Sequence, residues 1–133
     1  MSNTKPNIVV ESYKSSWADD FKSIRDLVWP KIHEVAAAIE HVGSTSVPGL
    51  AAKPIIDVDV IVNDVEKIPV IIERLKSIGY EHPGDLGIKR REAFKAPPDS
   101  VRQNFYVCLS GVLALRNHLI LRDHLRMAAS RKW

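Results

Sequence analysis

The chain has 133 residues, 45% of them apolar and 26% charged, which suffices for one domain with a buried core and is too little for two. Its 19 basic and 16 acidic residues leave a net charge of +3. An excess this small does not identify a nucleic-acid binder, although an anionic substrate such as a nucleotide is compatible with it.

At the N-terminus, MSNTKPNIVV has no basic segment followed by a long apolar stretch, so no secretory leader is expected. No apolar run approaches the roughly 20 residues that span a bilayer, and the expected location is the cytoplasm. Residues 8–10 read as a short strand or an extended lead-in. Ser16 is placed to cap a helix beginning at Trp17, with Asp19 as the partner acid of a capping box. Trp17, Phe21, Ile24 and Val28 recur at helical spacing, and Pro30 should end that helix. Residues 35–42 are alanine-rich enough to continue as a second helix, but an extended segment leading into Gly43 is preferred. Residues 55–62 form the clearest strand, β-branched and apolar apart from two aspartates.

A helix follows to about Ile78, with Ile68, Ile72 and Leu75 inward, Pro69 in its first turn and Gly79 as its stop. Pro83, Gly84 and Gly87 mark a loop. Residues 89–95 and 102–109 read as two strands joined by the turn-forming APPDS segment. The single cysteine, Cys108, lies in the apolar run FYVCL and reads as a buried, inert thiol; alone, it rules out an intramolecular disulfide. A final helix runs from about Val112 to Arg126, capped by Ser110 or Gly111. The order helix, strand, strand, helix, two strands, helix predicts an α/β (α+β) fold, a mixed sheet packed against helices.

The chemistry concentrates in residues 41–60. Asp57 and Asp59 lie two apart in a strand, so both carboxylates project from one face, about 6 to 7 Å apart along it. Two anions side by side call for a cation, and hard oxygen ligands suit Mg²⁺ or Mn²⁺. The alternative is an exposed strand edge on which the acids merely solvate one face. Upstream, Gly43 lets the backbone approach a phosphate closely, while Ser44, Thr45 and nearby backbone N–H groups are donors for its oxygens. Taken alone this is an ordinary Gly-Ser turn. Followed by a strand bearing D-x-D, it pairs a phosphate cradle with a metal carrier, the combination that phosphoryl or nucleotidyl transfer requires.

This G-S…D-h-D arrangement resembles the core of the polymerase-β-like nucleotidyltransferase superfamily. More closely, the chain resembles the GrpB family of uncharacterised bacterial proteins. The resemblance is carried by IEHVGSTSVPGLAAKPIIDVDV (residues 39–60), SIGYEHPGDLGI (77–88), REAF (91–94), NFYVCL (104–109) and LRDHLR (121–126), and covers roughly residues 8–126. It implies a nucleotidyltransferase fold and a metal site usually completed by a third carboxylate on a neighbouring strand. Residues 104–109 contain no acid, so Glu92 is the nearest candidate for a third metal ligand; its alternative is a surface pair with Arg90 or Arg91. The resemblance also implies a helical stretch beyond Arg126, so a chain ending MAASRKW reads either as a shortened member of the family or as a piece of a longer protein.

Other side chains have two readings each. His41 either contacts substrate or fixes the turn as a hydrogen-bonded structural histidine. Lys53 either neutralises phosphate charge or is a solvated loop lysine. Arg90 and Arg91 either clamp a triphosphate or, with Lys89 and Lys95, form a solvated face. Tyr106 shares a strand face with Asn104, where it stacks on a base or belongs to the core. On the last helix Asp123 and Arg126 are spaced for an ion pair, unless Arg122 or Arg126 reaches the site. His118 and His124 have no spacing to acids in the sequence that suggests a zinc site, and His33 and His82 carry no signal. The expected function is a Mg²⁺-dependent (or Mn²⁺-dependent) transferase using a nucleoside triphosphate. A small-molecule or protein acceptor is preferred to nucleic acid, and no membrane partner is expected. The rival is a non-catalytic nucleotide- or metabolite-binding module on the same fold.

Overall fold

The structure, a computed structural model, describes residues 9–84, 91–111 and 113–130. Helix α1 (Ser16–Ile32) leads into strand β1 (Ala38–Val42), a single 3₁₀ turn (Ser44–Ser46) and strand β2 (Ile56–Val62). A second 3₁₀ turn (Val65–Lys67) runs into helix α2 (Ile68–Lys76), followed by strands β3 (Glu81–Gly84), β4 (Arg91–Lys95) and β5 (Gln103–Leu109) and helix α3 (Leu113–Ser130). The five strands form one mixed sheet in the order β1-β2-β5-β4-β3, with β2 and β5 parallel and the other pairs antiparallel. The predicted mixed sheet packed against helices is therefore the observed architecture.

Alternation along β2 divides the sheet into two chemically different faces. Ile56, Val58, Val60 and Val62 point to one side, opposite Phe105, Val107 and Leu109 of β5. This side meets Trp17, Ile24, Val28 and Ile32 of α1 and Ile68, Ile71 and Leu75 of α2 in one apolar core. Tyr80 and Phe94 pack on Phe105, with ring centroids 4.7 and 6.0 Å away. Asp57 and Asp59 point to the reverse face, in register with Asn104 and Tyr106 of β5 and with Val42 and Glu40 of β1. That face is crossed by α3, which is docked by polar contacts.

Several local expectations need correction. Neither Ser15 nor Ser16 caps α1 with its side chain. Ser15 has helical dihedrals, and Trp17 and Ala18 donate instead to the carbonyls of Lys14 and Ser15. Helix α1 ends near Pro30 as expected, running two residues past it, and the His33 N–H still donates to the Trp29 carbonyl. Exposed Val9 and Val10 form no strand; Ile8 lies outside the described residues, and the lead-in instead pairs one residue on, through a bridge between Glu11 and Ala52. In α2 Ile68 and Leu75 are buried as expected, but the third buried residue is Ile71, with Ile72 at the margin of the core. Pro83 and Gly84 belong to strand β3, which was expected to be loop. It is an edge strand with shifted register, where a proline interrupts no ladder on its open side. Gly87, Lys89 and Arg90 lie outside the described residues.

Phe105 is almost completely buried where the aromatic cluster meets β2. Phe105→Ala should lower unfolding free energy by about 3–5 kcal/mol, read as a lower denaturant midpoint at unchanged slope.

Candidate functional site

The turn after β1 is shaped by contact with β2. Gly43 has φ +74° and ψ −176°, a conformation that L side chains rarely adopt. A Cβ on Gly43 would also lie 2.1 Å from Asp57 Oδ2. Glycine is thus required twice, by the backbone and by the carboxylate against which it lies. The turn is closed by Ser46, whose Oγ donates to the Gly43 carbonyl (2.6 Å) and whose N–H donates to the same oxygen (3.1 Å).

Thr45 is buried beneath this turn. Its hydroxyl donates to the Ile55 carbonyl (3.4 Å) and accepts from His41 Nε2 (2.9 Å). This assigns His41 the neutral Nε2–H tautomer. The His41 ring lies flat on Phe21 at 4.9 Å, and burial, helped by Arg126 and Arg122, lowers its pKa from 6.5 to about 4. The structural reading of His41 therefore holds, and Thr45 shapes the cradle while its hydroxyl is committed within the protein. Ser44, by contrast, is exposed.

Asp57 borders two hollows, and Asp59 borders the smaller of them. One, of about 360 Å³, is bounded by Ser44, Lys53, Ala52, Ile55, Asp57 and Asn104. The other, of about 140 Å³, is bounded by Gly43, Asp57, Asp59, Arg91, Tyr106 and His118. Asn104 Nδ2 donates to Asp57 Oδ1 (2.8 Å). Burial raises the Asp57 carboxyl above its ordinary value; the Asn104 bond opposes that shift and the neighbouring Asp59 charge adds to it. Asp59 has no exposure to solvent. His118 Nδ1 donates to its Oδ2 (2.9 Å), while its Oδ1 has no partner among the described residues. The Arg91 guanidinium lies 3.7 Å over the Tyr106 ring, and its Nε is likewise buried without a partner among the described residues. Cys108 lies under these groups, its thiol pushed up to about 12 by burial and the Asp59 charge, which agrees with an inert cysteine.

These positions sort the expected site residues. Gly43, Ser44, Lys53, Asp57, Asp59 and Arg91 border the two hollows, although Arg91 lies on the Asp59 side and Ser44 and Lys53 on the other. Glu92 does not join them. It pairs with Val107 across the ladder, so its side chain points to the opposite face, where Oε1 is bonded to His82 (2.8 Å). The place beside Asp57 on β5 is taken by Asn104. Among the described residues no group of three His, Cys, Asp or Glu side chains is arranged to hold a metal ion. Two carboxylates with one buried unsatisfied oxygen fit a single hard cation that keeps part of its water, and do not fit a three-carboxylate site.

Helix α3 supplies His118, which the sequence reading set aside, and brings Arg122 and Arg126 to the turn, the alternative offered for them. His118, Arg122 and Arg126 are spaced four apart and form one stripe along it. Arg122 donates to Glu40 Oε1 (2.5 Å) and to the His41 carbonyl (3.2 Å), and Arg126 Nε donates to the Ser46 carbonyl (2.9 Å). Asp123 pairs with Arg122 (3.0 Å), where a pair with Arg126 was expected. The His-x₃-Arg-x₃-Arg spacing was legible; its target, some 60 to 80 residues away in the chain, was not.

A family model described as GrpB protein matches residues 7–132. The UPF0157 protein YqkA of Bacillus subtilis is 32% identical over 92% of this chain, which spans 36% of that protein. The UPF0157 protein SCO7215 of Streptomyces coelicolor is 33% identical over 92% of the chain, which spans 63% of it. The chain is thus shorter than two thirds of these relatives. Among solved structures, the conserved protein GrpB from Enterococcus faecalis superposes with a TM-score of 0.79 at 32% identity, covering 92% of this chain and 74% of that one. The Cid1 poly(U) polymerase bound to MgATP superposes with a TM-score of 0.60 at 13% identity, over 86% of this chain and 38% of that one. At that identity the likeness shows the nucleotidyltransferase fold alone.

Two predictions follow from the turn. Gly43→Ala should destabilise the protein by about 1–3 kcal/mol or more from backbone strain and the clash with Asp57. In an Asp57→Ala background the clash disappears and part of that loss should be recovered, as a double-mutant cycle by thermal melting would show. His41 provides a pH signature. Its folded pKa, about 4, lies below the unfolded 6.5, so the folded state binds fewer protons and stability is complete above pH 6.5 and falls as pH drops toward 4. The loss should be about 3 kcal/mol, measured by urea unfolding, and should be absent in His41→Gln.

Proposed function

The chain belongs to the GrpB family, and from that membership and the shape of its cleft we propose that it binds a nucleoside triphosphate together with one divalent cation, Mg²⁺ or Mn²⁺. The observation that carries this reading is Asp59 Oδ1, a buried carboxylate oxygen without a partner among the described residues, two residues along β2 from Asp57, which borders the cleft bearing Ser44 and Lys53. A bound cation would screen phosphate charge at the two aspartates. Ser44 donates to phosphate oxygens and Lys53 neutralises them, while Gly43 admits the phosphates close to the backbone. Asn104 holds the Asp57 carboxylate in place, and Arg91 offsets the paired acids from the far side.

Nucleotidyl transfer to a small-molecule or protein acceptor is the fuller reading, favoured by the orientation of His118 on Asp59 at the smaller hollow. Asn104 in the position beside Asp57, with Glu92 on the opposite face, favours instead a binding module that retains the nucleotide site without turnover. A small net charge makes nucleic acid the less favoured acceptor. No helix of the described residues is long and apolar enough to cross a membrane, and we place the chain in the cytoplasm, where nucleotides are abundant.

Calorimetric titration of Mg²⁺ and nucleoside triphosphates tests the site. Binding should require the metal and weaken at least tenfold in Asp57→Asn and Asp59→Asn. Metal-independent binding, or equal affinity in both variants, would overturn the proposal. Pyrophosphate release over a panel of acceptors then separates the two readings: turnover supports transfer, and tight binding without turnover supports the module.

A further inference from the structure

A second cavity of about 360 Å³ lies on the other side of the Ser44–Ser46 turn. Ser44 borders the nucleotide cleft, Ser46 borders this cavity, and Thr45 borders both. Its remaining wall includes Tyr13, Ala18 and Pro48, with His41 and Arg126. This size falls at the lower end of small-molecule sites, and an apolar wall with one fixed cation is the usual composition of such sites.

The charge in this cavity is unbalanced. His41 is neutral, so Arg126 is the only fully charged group among the residues that line it. The acids that act on Arg126 are Glu40 and Asp123, yet both are paired with Arg122, at 2.5 and 3.0 Å. Among the described residues no carboxylate lies within ion-pair distance of Arg126 itself. Burial and the Arg122 charge press its pKa below the ordinary value, although a guanidinium remains protonated. The Ser46 carbonyl holds Arg126 Nε at 2.9 Å and so fixes the guanidinium beside the cavity. A half-buried cation, held by a neutral carbonyl and facing a second cation, lacks an anion.

We propose that this cavity binds a small organic anion, a carboxylate or a phosphate monoester, with its charged end on Arg126 and its apolar body against Tyr13, Ala18 and Pro48. The site is separate from the nucleotide cleft and uses neither Asp57 nor Asp59. Its ligand is anionic because Arg126 is the unbalanced charge, and compact because the turn and the first turn of α1 enclose it.

Titration of the full chain with inorganic phosphate, benzoate and phenyl phosphate, free of Mg²⁺ and nucleotide, tests this. Binding is followed by NMR of the His41 and Tyr13 rings. At least one probe should shift both rings saturably, and Arg126→Gln should weaken that probe about tenfold or more. Arg126→Lys should retain part of the affinity, and Asp57→Asn should leave it unchanged. Ala18→Phe, at an exposed position, fills the cavity while leaving the Arg126 side chain present and should also block binding; it keeps the test decisive if Arg126→Gln fails to fold. Response to phosphate and phenyl phosphate but not benzoate assigns a phosphate ligand, and the reverse assigns a carboxylate. No saturable shift from any probe overturns the proposal. So does binding that Asp57→Asn abolishes and both Arg126→Gln and Ala18→Phe leave intact, because the anion would then occupy the nucleotide cleft.

Discussion

Asp59 is a carboxylate with no exposure to solvent at the centre of a β-sheet, and its charge must be met by neighbouring elements. It cannot turn away, because alternation along β2 commits Val58 and Val60 to the apolar core and leaves Asp57 and Asp59 only the reverse face. His118 meets one oxygen, and the other has no partner among the described residues. Glu40, directly across the β1–β2 ladder from Asp59, adds a third acid to the face that carries Asp57 and Asp59. Like charges placed opposite each other destabilise a sheet unless something neutralises them. Arg122 does so for Glu40, which is why α3 crosses this face with a stripe of polar side chains.

Two consequences meet at the Gly43 turn. From below, Asp57 packs so closely on Gly43 that no side chain fits there, and the turn is held against the acid pair. From behind, His41 and Thr45 lock the turn to the strand that precedes it and to the start of the next. From above, Arg126 grips the Ser46 carbonyl. The turn is therefore fixed on three sides and open on the fourth, where Ser44 is exposed toward the larger hollow. Donors held in place in this way would lose little entropy on binding a phosphate, as the proposed nucleotide site requires. The tight backbone geometry and the buried acid thus belong to one design.

The same logic explains why β5 adds no acid to the Asp57 and Asp59 pair. Parallel pairing of β2 with β5 brings Asn104 beside Asp57 and Tyr106 beside Asp59. An amide at that position steadies one carboxylate by donating to it, where a third carboxylate would raise the local negative charge and demand more cation. Glu92 is one strand further out and one residue out of phase, and a single-residue offset in a strand reverses the face.

Much of this protein was legible in local pattern. The apolar spacing of α1, the β-branched run of β2, the Gly79 stop of α2 and the G-S…D-x-D frame depend on neighbours within a few residues, and helical and strand periodicities report such neighbours directly. The sequence by itself determined the fold class, the family and the two acids on one face. Strand β3 escaped because a proline and a glycine signal a loop unless an edge position tolerates them. Only the tertiary structure decided that His118 belongs to Asp59, that Glu92 faces the core side with His82, and that Arg122 and Arg126 brace the cradle. Those facts depend on which strand lies beside which and on where α3 crosses them. Such long-range pairings leave no periodic trace in the chain.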